Sequence, residues 1–221
     1  MQTPRSRRAP AGAQYRIGLN AATLAGVTGA QYGTLSSAVF AFQWYSTVTA
    51  ATSGSAQNVF QKLCMVTQVE CSWQIVTTFT SAQTISFGLF KVATFTTAAT
   101  GGGYQATFTN TNIGKFDSLY ATTNFASSGG IWMSSATALS GAVGTIDTYP
   151  MRYFTGLVNT QGVGISSPFV PFAMGNDPNS QALFLRQNEG FVIQAIDTLG
   201  AGGVLDFFVN VEWIEMSNEL T

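Results

Sequence analysis

Asp206, Glu212 and Glu215 form the densest acidic group in a 221-residue chain that contains no histidine. General acid–base chemistry would therefore have to come from carboxylates alone. Retaining and inverting glycosidases use two carboxyl groups held roughly 5–9.5 Å apart. Asp206 and Glu212 share one parity of an alternating stretch, but six residues of extended strand separate them by roughly 20 Å, too far for that pair. The spacing predicts solvated carboxylates on an outer sheet face, and a carboxylate hydrolase is the weakest of three functional readings.

The absence of histidine also removes Ser-His-Asp and Cys-His nucleophilic sites and nearly every common zinc site. Calcium would need several converging oxygen ligands, and Asn176-Asp177-Pro178-Asn179, the one stretch of that kind, reads as Asx-turn chemistry in a loop rather than as a calcium site. Gly101–Gly103 lacks the following Lys-Ser/Thr and the helix of a phosphate loop. Cys64 and Cys71 lie seven residues apart. On one regular strand they would point to opposite faces roughly 23 Å apart, beyond the reach of a disulfide, so two buried free thiols are expected. These residues predict no catalytic set, no metal and no cofactor.

Hydrophobic residues make up 46% of the chain and charged residues 9%, against about a quarter charged in an ordinary soluble domain. So few charges give weak self-repulsion and leave apolar surface to cover, which predicts assembly, with a homotrimer as the expected form. The formal net charge of −1 hides an asymmetry. Arg5, Arg7, Arg8 and Arg16 are four of the nine cations, and they read as a basic arm that contacts an acidic partner surface. The remaining cations, Lys62, Lys91, Lys115, Arg152 and Arg186, are too few for a basic nucleic-acid platform, so no specific nucleic acid is expected. No apolar run reaches the roughly eighteen residues of a membrane span, and no apolar region follows the N-terminal cations as in a cleaved signal. Neither a membrane partner nor secretion is expected.

The elements that would position these residues read as strands. Leu205, Phe207, Val209, Val211 and Trp213 alternate with Asp206, Asn210 and Glu212, the pattern of a half-buried strand. Further strands are predicted at 39–48, with Phe40, Phe42, Trp44 and Val48 on one face, and at 63–69 and 73–79 around a break near Cys71-Ser72. Others follow at 84–95, where Lys91 interrupts the face of Ile85, Phe87 and Leu89, and at 104–110, 131–134, 152–158 and 169–173. Pro168 and Pro171 favour an edge for the last of these. Residues 182–196 and 204–216 are expected to form a hairpin through a loose loop, with a bulge or tight bend at Gly190. A short strand at Tyr15–Leu19 falls within residues 1–34, which read as an extended N-terminal arm ordered against a neighbour. The expected architecture is all-β: one antiparallel jelly-roll-like β-sandwich over residues 35–221, with the arm in front of it.

Three stretches carry a resemblance: Ser86-Phe87-Gly88-Leu89-Phe90-Lys91-Val92-Ala93-Thr94-Phe95-Thr96, Trp132-Met133-Ser134-Ser135-Ala136-Thr137-Ala138-Leu139-Ser140-Gly141, and Leu185-Arg186-Gln187-Asn188-Glu189-Gly190-Phe191-Val192-Ile193. Over roughly residues 60–216 the chain resembles the capsid decoration, or cement, proteins of tailed bacteriophages. The Arg-rich start is not part of that pattern. The resemblance implies a β-rich, non-enzymatic virion protein, often trimeric, that is assembled in the host cytoplasm, binds the major capsid protein on the outer capsid surface and stabilises the shell. It implies no functional residue set. The alternative is a receptor- or glycan-binding module of a phage tail or fibre, which should present Trp or Tyr on loops beside Asp or Asn; Trp44, Trp73 and Trp213 fall in strand patterns, and Trp132 is the exception.

Overall fold

A computed structural model of the chain describes residues 13–20, 24–25, 38–44, 63–95, 100–101, 104–106, 114–115, 130–133, 139–140, 143–158, 169–173, 183–186, 188–198 and 202–216. Its strands are β1 (Ala13–Asn20), β2 (Leu24–Ala25), β3 (Ala38–Gln43), β4 (Leu63–Thr77), β5 (Gln83–Phe95), β6 (Thr100–Gly101), β7 (Tyr104–Ala106) and β8 (Gly114–Lys115). They continue as β9 (Gly130–Met133), β10 (Leu139–Ser140), β11 (Val143–Ile146), β12 (Arg152–Val158), β13 (Phe169–Ala173), β14 (Leu183–Leu185), β15 (Gly190–Ala195) and β16 (Val204–Met216).

Two seven-stranded antiparallel sheets hold most of them. The first runs β13-β4-β16-β1-β8, with β14 also on β4 and β2 also on β16. The second runs β11-β5-β15-β3-β9-β7, with β12 also on β5. The pairings nest. β1 pairs with β16, β3 with β15, β4 with β13 and β14, and β5 with β11 and β12. Two further pairings, β16 with β4 and β15 with β5, place the late strands in the middle of each sheet. That nesting is a jelly roll: a long antiparallel ribbon rolled into two facing sheets.

Alternation decides what each sheet buries. Leu205, Phe207, Val209, Val211 and Trp213 all face the interior and are buried, as their spacing predicts. They meet Phe40, Phe42, Ile85, Phe87, Leu89, Phe191 and Ile193 of the second sheet in one core. Phe42 packs edge-on to Trp213 with centroids 5.5 Å apart, and Phe87 lies 4.7 Å from Phe207. The second sheet is buried on its other face too, where Ala38, Ala41, Phe90, Val92, Phe95 and Val192 form a separate cluster. A strand buried on both faces reads as a continuous apolar run, which accounts for Gly88-Leu89-Phe90 and Phe191-Val192-Ile193.

Several expectations are corrected here. The stretch assigned to the arm, Tyr15–Leu19, lies within β1, which pairs with β16 from Ala13 to Asn20 and buries Tyr15 and Ile17 in the core. Residues 204–216 do not form a hairpin with the preceding strand: β15 and β16 belong to different sheets, so the loop between them crosses the sandwich. Residues 182–196 are two strands, parted by a turn in which Asn188 takes a positive φ of 62°. Gly190 is not a bulge; a Cβ there would lie 2.1 Å from the Phe42 carbonyl oxygen, so it permits close approach of β15 to β3. The interruption expected at Cys71-Ser72 does not exist, since β4 runs unbroken from Leu63 to Thr77. Among the described residues β13 pairs only with β4, and its register shifts between Phe169 and Phe172, around Pro171.

Gly156 of β12 shows how tightly the sheets approach. A Cβ there would sit 2.1 Å from the indole of Trp73, which reaches across from β4. Gly156→Ala is expected to destabilise the fold by about 1–3 kcal/mol through overpacking. Combining it with Trp73→Phe should give a double variant more stable than the sum of the two losses predicts, measured by denaturant unfolding. Strict additivity would show that the ring and the glycine do not share one space.

Candidate functional site

Of the four arginines singled out by the sequence, Arg5, Arg7 and Arg8 lie outside the described residues. Arg16 sits on the exposed face of β1. Strand register sets its surroundings. Arg16 stands opposite Glu212 of β16, which stands opposite Gln68 of β4. One row on, Gly18 stands opposite Asn210, and Asn210 opposite Glu70. The Asn210 side-chain amide donates to Glu70 Oε2 at 3.3 Å. Gly18 makes room for it, because a Cβ at that position would lie 2.6 Å from Asn210 Oδ1. The result is an open depression of about 410 Å³ on the outer face of the first sheet, lined by Arg16, Gly18, Glu70, Asn210 and Glu212 with backbone from Ile17 and Val211.

Glu70 and Glu212 are diagonal neighbours across β4 and β16, about 7–8 Å apart at the backbone. The sequence offered no signal for this juxtaposition, since Glu70 and Asn210 are 140 residues apart. The two carboxylates lie on an open sheet face, where Asn210 donates to Glu70 and Arg16 stands in register with Glu212. An open polar face of this kind can dock against a complementary charged or polar surface. Asp206 and Glu212 share the outer face as expected. Glu215 does not: its parity turns it inward, it is buried, and it accepts a hydrogen bond from Trp213 Nε1 at 3.3 Å.

Lys91, which interrupts the apolar face of β5, meets Glu189 at 3.5 Å. The Glu189 carboxylate also accepts the backbone N–H of Arg186 at 2.8 Å, closing the 186–190 turn on itself. The turn is tied to β3 as well, by hydrogen bonds from Trp44 N to Glu189 O and from Asn188 N to Trp44 O. Lys91 is thus the edge of the core meeting its counter-ion. So partly exposed a pair is worth about 0–1 kcal/mol.

Cys64 and Cys71 are both free and buried, as expected. Their side chains nevertheless share one face. The β4–β16 register skips Thr67, with Glu212 opposite Gln68 and Trp213 opposite Val66. That single-residue bulge resets the alternation, so both thiols enter the same core. At the same point the outer edge of β4 changes partner, from β14 at Val66 to β13 at Gln68.

Among the described residues, no three His, Cys, Asp or Glu side chains gather into a metal-binding group, and no helix is long and apolar enough to cross a membrane. Asn176–Asn179, the calcium candidate, lies outside the described residues. Trp132 lies in β9, opposite Ala41 of β3. Compared with known proteins, the chain matches no family model and no curated sequence.

Burial raises both thiols well above their ordinary value of 9.0, with Glu215 adding to the effect at Cys64 and Glu70 at Cys71. A raised folded value leaves stability intact below the unfolded value, about 9, and lets it fall as pH rises toward the folded value. Unfolding measurements above pH 9 should therefore show a loss of up to about 1.4 kcal/mol per pH unit for each thiol, and a shallower loss in Cys64→Ala or Cys71→Ala. Labelling should find no reactive thiol in the native chain at pH 8 and two after denaturation. Native labelling would contradict the burial.

Proposed function

We propose that this chain is a non-enzymatic virion structural protein, a capsid decoration or cement protein that binds the major capsid protein on the outer shell. The observation that carries this reading is the division of labour between its faces. The rings of Trp44, Trp73, Trp213 and Phe87 are spent on the interior, and the second sheet is buried on both sides. The first sheet turns outward a row of fixed charges and amides. A solid sandwich with one patterned polar face can bridge neighbouring subunits, adding modest contacts whose sum resists their separation. The jelly roll recurs in viral shells, although fold alone does not determine function. The resemblance of the 86–96, 132–141 and 185–193 stretches to phage decoration proteins supports the same reading.

In this proposal the protein acts as a homotrimer, and the basic N-terminal residues Arg5, Arg7 and Arg8 extend toward an acidic surface of the capsid. Arg16 contributes from the sheet itself.

A mass-resolved inventory of purified virions tests the reading: hundreds of copies are expected, and a handful would point to a tail or fibre part. Sedimentation of the isolated protein should show a species near three times 23.4 kDa, whereas a monomer through the dilution series would count against assembly. Replacing Arg5, Arg7 and Arg8 with serine should weaken capsid binding and flatten its salt dependence, because exposed charges are screened within about 8–10 Å at physiological salt. Unchanged binding would remove the segment from the contact.

A further inference from the structure

The outer edge of β5 carries two strands in succession, and the chain between them does something the sheet does not require. Ile146 ends β11 opposite Val92, and Arg152 begins β12 opposite Leu89. Residues 147–151 therefore stand where two residues of β5 face them. The excess is thrown outward and pinned at both ends: Asp147 N–H donates to Lys91 O at 3.0 Å, and Met151 N–H donates to Leu89 O at 2.7 Å. Pro150 settles over Gly88, where a Cβ would lie 3.1 Å from the proline ring, and Met151 packs against the main core. At the crown of this anchored excursion stands Tyr149, 80% exposed, with Tyr153 following at 57%. Asp147, Thr148 and Arg152 are exposed beside them.

We propose that the 147–153 excursion is a carbohydrate-binding site, with Tyr149 as the stacking platform. A pyranose offers a flat apolar C–H face ringed by hydroxyls. Its complement is a presented aromatic ring with short acceptors and donors around it, which Asp147, Thr148 and Arg152 supply. An exposed ring on an excursion hydrogen-bonded at both ends offers a preorganised stacking face, which is the feature the proposal rests on.

Other partners fit less well. A stable protein contact needs about 800 Å² per side with an apolar centre, and two rings of at most about 150–250 Å² each do not build one. Among the described residues, the other exposed large apolar side chains, Val76 and Phe184, belong to the opposite sheet. A nucleic acid would also stack, but Arg152 beside Asp147 leaves no net positive charge for phosphate. The site gives a shell protein a grip on sugar polymers. Weak individually, it would gain from repetition over many copies.

The test uses the intact protein against arrayed oligosaccharides of glucose, galactose and N-acetylglucosamine, followed by ligand-observed NMR titration. At least one class should bind with a dissociation constant of about 0.1–10 mM per site. Tyr149→Ala should weaken that binding at least tenfold, Tyr149→Phe should stay within about threefold because the ring face remains, and Arg152→Ala should fall between them. Tyr149 is exposed, so each variant should retain the parent's thermal unfolding. Absence of binding to all three sugar classes at about 50 mM would overturn the proposal, as would a Tyr149→Ala variant that binds sugar like the parent. If Tyr149→Ala instead loses capsid attachment with no sugar bound by the parent, the excursion is a protein contact and the carbohydrate assignment falls.

Discussion

Among the described residues the two sheets share no backbone hydrogen bonds, and their union depends on rings that touch across the interior. Phe207 from β16 lies against Phe87 of β5, which stacks in turn on Phe154 of β12 at 5.4 Å. Toward the other end Trp213 is clasped between Tyr15 of its own sheet at 5.8 Å and Phe42 of the opposite one. Phe42 then stacks on Phe191 at 5.1 Å. Ring pairs of this kind add about 0.5–1.5 kcal/mol each beyond the area they bury. Phe207 and Trp213 are both on β16, the strand that also pairs with β4 along its length and with β1 from Ala13 opposite Glu215 to Asn20 opposite Phe208. Closing the sandwich and completing the first sheet are thus one event.

This arrangement constrains where the molecule can meet others. The second sheet has apolar clusters on both its faces, so neither is free for a partner. Among the described residues, what remains is the outer face of the first sheet and the margins of the second. The margin along β5 is itself interrupted by the 147–151 excursion, which prevents a long straight edge from templating a strand of another chain. The outer face of the first sheet is protected differently, by the charge rows of Arg16 with Glu212 and Asn210 with Glu70, which discourage unspecific apolar association while permitting a matched surface to dock.

Much of the fold was legible in the sequence because alternation is a local signal. Leu205–Trp213, Ile85–Leu89 and Phe40–Trp44 each declare their buried parity without help from the rest of the chain. The failures share a cause: they concern relations between segments. Nothing near Cys64 and Cys71 reveals that Thr67 is skipped, because a bulge is defined by the partner strand. The loop before Val204 looks the same whether it turns back within a sheet or crosses between sheets. Tyr15–Leu19 resembles a short strand in an arm because its partner lies nearly two hundred residues away. Glu215 carries a charge that favours the surface but the inward parity of Trp213, and position prevails because the Trp213 indole N–H donates to its carboxylate. Of the candidate patch, alternation alone puts Asn210 and Glu212 on one outward face, and only strand register brings Arg16 and Glu70 beside them.

The pairing of β1 with β16 sets a clock on biosynthesis. At roughly 5–20 residues per second, β16 leaves the ribosome about 10–40 s after β1. Throughout that interval β4 and β1 have no strand between them, and Trp73, Ile75, Tyr15 and Ile17 have no Phe207 or Trp213 to cover them. The innermost pairings, β5 with β11 and β12, can form early because the chain they enclose is shorter. The growing chain is therefore a partial ribbon with greasy sides, sealed only by its last strand. A cell making this protein at high level must shelter that unfinished form, and slowing translation late in the message would lengthen its exposure more than slowing it early.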